Sequence, residues 1–417
     1  MEKIFAILGM GLCIGITYLL SDKKKEINWV SVGCAFFGQV LLALALIKTP
    51  LWKGVEWLSA GVTWLLGQAN EGINFVFGGI APDGFVFFIN SLLPIVFISG
   101  LMGILFHFGI IQKFVAVVGK TVAKVLKVDS LVAVNGITNM FFGQSDSLFI
   151  TKSYLPKAKD SVIFATLVGG MTSISCSVVG LYASYGASME WILVSMPLTV
   201  CSTFALTQIL MPTKYEADIE IDNGDKGVNF IETMMNYAMG GFRAVIGITV
   251  ALMVFLSLVA ITNNFLQLFF PSVTLQSILG TIFTPLAFLM GVPAGEVAEV
   301  SQILATKLVT NETVAFGLPQ FAMLSANTKA MITTALCGFA GVASIGILIG
   351  GYTAVAPNKV GVVAKLGAKA LLTATVVNML TGVLRGAAAS VARSVCCCAI
   401  RAQRCRMRDS RQPSHES

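Results

Sequence analysis

Charge is what this sequence has least of. Only 12% of its 417 residues are Asp, Glu, Lys or Arg, against about a quarter in a soluble domain. With 56% hydrophobic residues, that scarcity argues against a soluble globular protein. Histidine is nearly absent, at two residues. No His-Glu-x-x-His pair, Gly-x-Ser-x-Gly elbow or phosphate loop is present, so no enzyme and no cofactor is expected. Cys13, Cys34, Cys176, Cys201 and Cys337 lie in apolar runs and read as small packing residues rather than a disulfide framework or zinc site. Alternating ten-residue segments are also missing, which argues against a β-barrel.

What is there is a series of apolar runs of membrane-crossing length. They lie near 4–20, 30–48, 91–111, 161–183, 190–211, 241–263, 327–350 and 366–387. The first lacks a basic start and a small-residue cleavage site, and Lys23, Lys24 and Lys25 follow it, so it reads as a retained helix. The net charge of +7 is not a nucleic-acid signal. Fifteen of the twenty lysines fall in five short loops at 23–25, 112–128, 152–160, 213–229 and 356–369. Placing these in the cytoplasm satisfies the positive-inside rule and leaves the amino terminus outside. The expected location is a cell (inner) membrane, crossed many times.

The expected fold is an all-α polytopic membrane protein. It has about eight transmembrane helices plus two re-entrant hairpins in an inverted repeat, with interfacial helices. Residues 1–90 hold N-terminal scaffold helices. Within them Trp52, Val55, Leu58, Val62 and Leu65 recur at helical spacing over 49–75, as in an amphipathic interfacial helix. Residues 91–212 form a first repeat with a hairpin near 129–151. This segment is apolar, yet lysines flank it on both sides, as a re-entrant loop requires. Residues 213–276 hold a loop, an interfacial helix at 229–240 and a scaffold helix. Residues 277–384 form a second repeat with a hairpin near 277–317, marked by Pro285, Gly291 and Pro293. Each hairpin precedes a Gly- and Ser-rich helix, 161–183 and then 327–350. Paired broken segments with a site between them follow the logic of secondary transporters. From 385 the composition changes: seven of the eight arginines lie in 385–411, beside Cys396, Cys397, Cys398 and Cys405. The segment 385–417 is expected to be disordered or foreign to the domain.

Two polar stretches stand inside the apolar sequence, Gly143-Gln144-Ser145-Asp146 and Thr310-Asn311-Glu312-Thr313. A carboxylate at membrane depth persists where it lines a cavity, an ion path or a substrate site. Gln144 both donates and accepts, Ser145 offers a hydroxyl, and Asp146 a charge or a proton. A broken tip also frees backbone groups, which suits a polar heterocycle or a small cation. Glu312 fits three roles: accepting from a vicinal diol, carrying a proton, or pairing with Lys307. Glu296 and Glu299 are expected at the hairpin mouth, and His107 reads as an ordinary interfacial histidine.

These motifs resemble the concentrative nucleoside transporters, in their bacterial branch, over residues 1 to about 384. The resemblance rests on the Gly-Gln-Ser-Asp stretch, on Ala-Asn-Glu-Gly-Ile-Asn-Phe-Val-Phe-Gly-Gly at 69–79, and on Ala-Thr-Lys-Leu-Val-Thr-Asn-Glu at 305–312. Leu-Cys-Gly-Phe-Ala at 336–340 and Ala-Ser-Ile at 343–345 complete it. It implies a homotrimer whose protomers each import a nucleoside by an elevator motion, driven by sodium or protons. It implies Gln144, Ser145, Asp146 and Val178 at the nucleobase, and Glu312 and Ser344 at the ribose. A sodium site is implied at the side chains of Asn139 and Ser173 and the carbonyls of Phe142 and Ile174. Since Asn139 and Ser173 are both present, sodium is the expected coupling ion and the proton the alternative. The sequence departs from the family at Asp146, where Glu is usual, at Gly341, where Asn is usual, and at Thr313, where Phe is usual. These departures leave room for a modified nucleoside, a nucleobase or another polyol as cargo.

Overall fold

The computed structural model describes residues 2–79, 86–144, 146–214 and 227–409, except the side chains at 2–7, 47–48, 146, 149, 251, 255 and 387–409. Every regular element among the described residues is helical. Lipid offers no hydrogen bonds, and a helix satisfies its backbone within its own segment.

Three helices open the chain: α1 (Glu2–Leu19), α2 (Trp29–Lys48) and α3 (Leu51–Phe77). α3 is the amphipathic helix expected over 49–75, with Trp57, Trp64 and Phe75 exposed. Its inward stripe runs through Ser59, Leu66 and Ala69 rather than Leu58, which is exposed. Leu66 fits against Gly180, where any Cβ would lie 2.6 Å from the leucine.

The rest of the chain forms two matching series. The first is α4 (Pro94–His107), α5 (Ile110–Leu126), α6 (Ser130–Phe142), α7 (Asp146–Ile150), α8 (Asp160–Thr172), α9 (Val179–Ser184) and α10 (Met189–Leu210). The second is α11 (Phe230–Phe269), α12 (Leu275–Leu289), α13 (Val297–Val309), α14 (Glu312–Phe316), α15 (Pro319–Met323), α16 (Ala326–Leu336), α17 (Val342–Val355) and α18 (Val360–Asp409). α15 stands where the first series has the 3₁₀ turn Leu155–Lys157.

The packing is reciprocal. α4 lies along its counterpart α11, α5 packs on α6, and α12 packs on α13. α8 packs on α18, and α16 packs on α10. The short α7 reaches α17, and the short α14 reaches α9. The α4–α11 contact is close because it uses glycine: a Cβ on Gly103 would fall 2.7 Å from Tyr237. Small residues at such crossings let helices approach where no hydrophobic force drives them together. The centre of the molecule is α8 and α10, buried along most of their length. Their hydroxyls bond back to their own helices, as Thr207 Oγ1 does to Thr203 O at 2.7 Å.

Among the described residues, six helical segments are long and apolar enough to cross a membrane, namely Trp29–Leu46, Phe88–His107, Asp160–Ser184, Met189–Leu210, Phe230–Phe269 and Pro357–Gly386. Leu8–Leu19, Ser130–Phe142, Leu275–Leu289 and Val342–Val355 are shorter apolar helices among the described residues. The expectation of eight runs needs four corrections. The helices expected over 161–183 and 327–350 are each interrupted, at Ser173–Ser175 and at Cys337–Gly341, where the backbone leaves the helical conformation. The separate helix expected over 229–240 is instead the opening part of the 40-residue α11. Asn229 caps its start by accepting from Glu232 N at 2.9 Å, and no proline interrupts it. The segment expected as one hairpin, 277–317, contains an independent helix, α12, closed off by Gly291 at φ +85°. Finally, α18 runs on as helix past the expected boundary at 385, to Asp409. Arg385 is buried, donates to Asn327 Oδ1 at 2.5 Å and lies over the Trp191 ring at 4.1 Å. Residues 410–417 lie outside the described residues.

Candidate functional site

The first interruption starts with α6. Asp129 caps it by accepting from Leu131 N at 2.8 Å, and it ends at Gly143, whose φ of +84° is one that L side chains rarely adopt. A Cβ at Gly143 would meet Ser175 at 3.3 Å and Phe339 at 3.9 Å. The break therefore sits against the interruptions of both long helices. Gln144 is buried and packs on Gly170, and its Oε1 has no partner among the described residues. A buried amide oxygen left open is costly, by about 1–3 kcal/mol, unless a ligand or water takes it. Ser145 lies outside the described residues, as does the side chain of Asp146, whose backbone opens α7.

One turn before the break, Asn139 is fully buried. Its Oδ1 accepts from Ser147 Oγ at 2.6 Å and its Nδ2 donates to Asn135 Oδ1 at 3.0 Å. α8 ends beside it. Ser173 caps α8 in extended conformation, and its Oγ donates to Gly169 O at 2.7 Å. Asn139 Nδ2 lies 3.7 Å from where a Gly169 Cβ would stand. Asn139 and Ser173 thus converge on the same residue of α8. Phe142 and Ile174 are both buried at the two helix ends. Side-chain and carbonyl oxygens at helix C-termini, where the dipole is negative, are a hard-cation donor set. Val178 is buried at the start of α9.

The second interruption follows α13. Asn311 caps α14 by accepting from Val314 N at 2.9 Å, and Glu312 is the first residue of that half-helix. Asp146 holds the same place in α7. A carboxylate there faces the positive end of a helix dipole. Glu312 is buried, and its Oε1 accepts from Tyr182 OH at 3.0 Å. Tyr182 comes from α9 and is stacked on Phe316 of α14 at 4.8 Å. Nearby, Tyr185 lies against Gly317, and burial pushes its phenol up to about 12. Gly341 closes on Thr310 O and Lys307 O, 3.3 and 3.5 Å from where its Cβ would be. Ser344 is buried and its hydroxyl donates to Phe339 O.

Lys307 and Glu312 do not form an ion pair. Lys307 donates instead to Ala335 O at 2.8 Å, and Glu312 turns to Tyr182. Glu296 caps α16, accepting from Ser325 N at 2.7 Å. His107 shares a hydrogen bond with Thr233 at 2.9 Å. Tyr182, Asn135 and Ser147 are polar partners that the sequence motifs did not single out. Tyr182 had a signal, as the one tyrosine-bearing turn directly after Val178 in a buried run.

Two interrupted helix pairs, each placing a carboxylate at the head of a buried half-helix, define a multi-pass membrane transporter built from a repeated unit. Residues 8–80 match the Na+ dependent nucleoside transporter N-terminus and residues 191–386 the corresponding C-terminus. An uncharacterized transporter of Haemophilus influenzae is 34% identical over 409 residues, covering 93% of this chain and 98% of that protein. Nucleoside permease NupC of Helicobacter pylori is 30% identical over 410 residues, covering 92% and 97%. The solved structure of CNTnw in an inward-facing substrate-bound state superposes with a TM-score of 0.88 at 29% identity, covering 94% of this chain and 98% of that one. An outward-facing structure of CNTnw gives the same score. The chain belongs to the Na+ dependent nucleoside transporter family. It is a multi-pass protein of the cell membrane and a permease rather than an enzyme, carrying out cation-coupled nucleoside transport by alternating access.

Proposed function

We propose that this chain is a sodium-coupled symporter that imports nucleosides by an elevator-type motion, working as a homotrimer. Gln144, Ser145, Asp146 and Val178 hold the nucleobase, and Glu312 and Ser344 the ribose. Asn139, Ser173 and the carbonyls of Phe142 and Ile174 hold the sodium ion. The two breaks are re-entrant hairpins that enter from opposite leaflets and move as one body with the interrupted helices behind them.

The observation that carries this reading is the Glu312 carboxylate. It is buried at the head of α14 and held by Tyr182 from the other series. One carboxylate oxygen is thereby fixed and the other is left to accept from sugar hydroxyls. Gln144 supports the nucleobase assignment, because its open Oε1 needs a donor such as a ring N–H. The buried side-chain oxygens of Asn139 and Ser173, near the ends of α6 and α8, support sodium over a proton.

A second reading concerns the cargo. Gly341 presents no side chain where the family usually has Asn, which favours a cargo with fewer ribose contacts or a bare nucleobase. Radiolabelled uridine uptake in proteoliposomes, with and without an inward sodium gradient, decides between these readings. The expected result is gradient-driven uptake that excess adenosine or uridine suppresses, and its loss in Glu312→Gln at normal membrane insertion. Uptake unchanged in Glu312→Gln would remove that residue from the site.

A further inference from the structure

The least accommodated charge outside this site is Lys307. It is buried in the last turn of α13, and no carboxylate lies within ion-pair distance of it among the described residues. Its ammonium donates to Ala335 O, in the last turn of α16, at 2.8 Å. The Asn378 amide of α18 is oriented by its neighbours, because an ammonium only donates and a carbonyl only accepts. With its oxygen 2.8 Å from Lys307 Nζ, its nitrogen donates to Thr172 O at 3.0 Å. A cavity of about 10 Å³ adjoins the lysine, at the lower limit for one water molecule. The ammonium is therefore solvated by protein oxygens.

That position has a counterpart. In the first series, Asn139 in the last turn of α6 lies beside Gly169, to whose carbonyl Ser173 at the end of α8 donates. In the second, Lys307 in the last turn of α13 meets the end of α16 at Ala335. Both places gather oxygens at the negative end of an interrupted helix. The two are also linked: Asn378 joins Lys307 to Thr172, the residue before Ser173. The link is tight, since a Cβ on Gly338 would fall 2.4 Å from both Thr172 O and the Asn378 amide.

We propose that the Lys307 ammonium is a built-in cation, occupying in the second repeat the place that the coupling ion takes in the first. One repeat carries its positive charge covalently, so only the other recruits an ion from solution. Through Asn378 the fixed charge also holds the end of α8 in the shape that receives that ion. This rests on the sodium-site reading above for the ion's identity and its place.

The test removes the ammonium and offers a free one. Lys307→Ala and Lys307→Met are purified in detergent and melted with ammonium, sodium or choline chloride at fixed pH and ionic strength, and their uridine uptake is followed in proteoliposomes. Lys307→Ala is expected to lose uptake at least about tenfold, as removal of one member of a buried polar cluster does. Ammonium is expected to raise its melting temperature by about 2 °C or more over the wild-type response, by binding the emptied site, and to restore uptake. If sodium enters the emptied site instead, the sodium activation curve turns from hyperbolic to sigmoidal, which supports the same assignment. Lys307→Met, whose side chain fills the space without charge, is expected to lose uptake and to gain nothing from ammonium.

Wild-type uptake with an unchanged sodium half-saturation in either variant would overturn the proposal. So would a Lys307→Ala protein whose melting responds to ammonium and sodium no more than the wild type does. Should wild-type uptake ignore the sodium gradient, the sodium reading fails by itself, and the ammonium-dependent melting still decides the role of Lys307.

Discussion

Tyr182→Phe removes one hydroxyl and nothing else. The ring is fully buried and stacked on Phe316 at 4.8 Å, so phenylalanine fills the same space. What is lost is the hydrogen bond from the phenol to Glu312 Oε1 at 3.0 Å. A hydrogen bond to a charged group contributes about 1.5–3 kcal/mol, a factor of roughly 10 to 150 in an equilibrium constant. If that bond aims the carboxylate at sugar hydroxyls, the loss appears in substrate affinity. The KM for uridine should then rise by at least about tenfold. The effect should shrink for 2′,3′-dideoxyuridine, which lacks the 2′- and 3′-hydroxyls from which the free oxygen would accept. Comparing two proteins and two substrates forms a cycle that isolates the coupling between phenol and sugar. The assay is concentration-dependent uptake in proteoliposomes, with melting in detergent as the control for stability. Equal loss for both substrates, or no change in either KM, would refute the idea that Tyr182 positions Glu312 for the sugar.

Two further outcomes follow from the same geometry. Gly338→Ala should yield little folded protein by detergent size-exclusion, because its Cβ would stand 2.4 Å from the Thr172 carbonyl, and backbone at that depth has no room to retreat. Asn139→Ala and Ser173→Ala should each raise the sodium concentration for half-maximal uptake about tenfold or more. A sodium titration that superposes on the wild type would remove that residue from the ion site.

Much of the architecture was legible in the residues. The apolar runs marked the crossings, because lipid tolerates little else over about 20 residues. The stretches at 143–146 and 310–313 marked the two breaks, because a carboxylate at depth needs a cavity or partner. Trp52 and Val55 marked α3 through their helical spacing. Periodicity fails where polar backbone is hidden by tertiary packing. The non-helical segments at Ser173 and Cys337 lie inside runs apolar enough for unbroken helices. They are held open by Gly143, Ser175 and Phe339, contacts between residues far apart in sequence. Arg385 looked like the start of a foreign tail until Asn327 and Trp191 closed around it.

Composition and run length alone determined that the chain is a helical membrane protein, and two short motifs alone marked where its buried half-helices begin. Both follow from local physics, the transfer of side chains and peptide groups into a medium without water. Only the tertiary structure decided the partners: Glu312 with Tyr182 rather than Lys307, and Lys307 with Ala335 and Asn378. The reason is that a buried polar group takes whichever complementary atom the fold brings within about 3 Å, and Tyr182 is 130 residues from Glu312 along the chain.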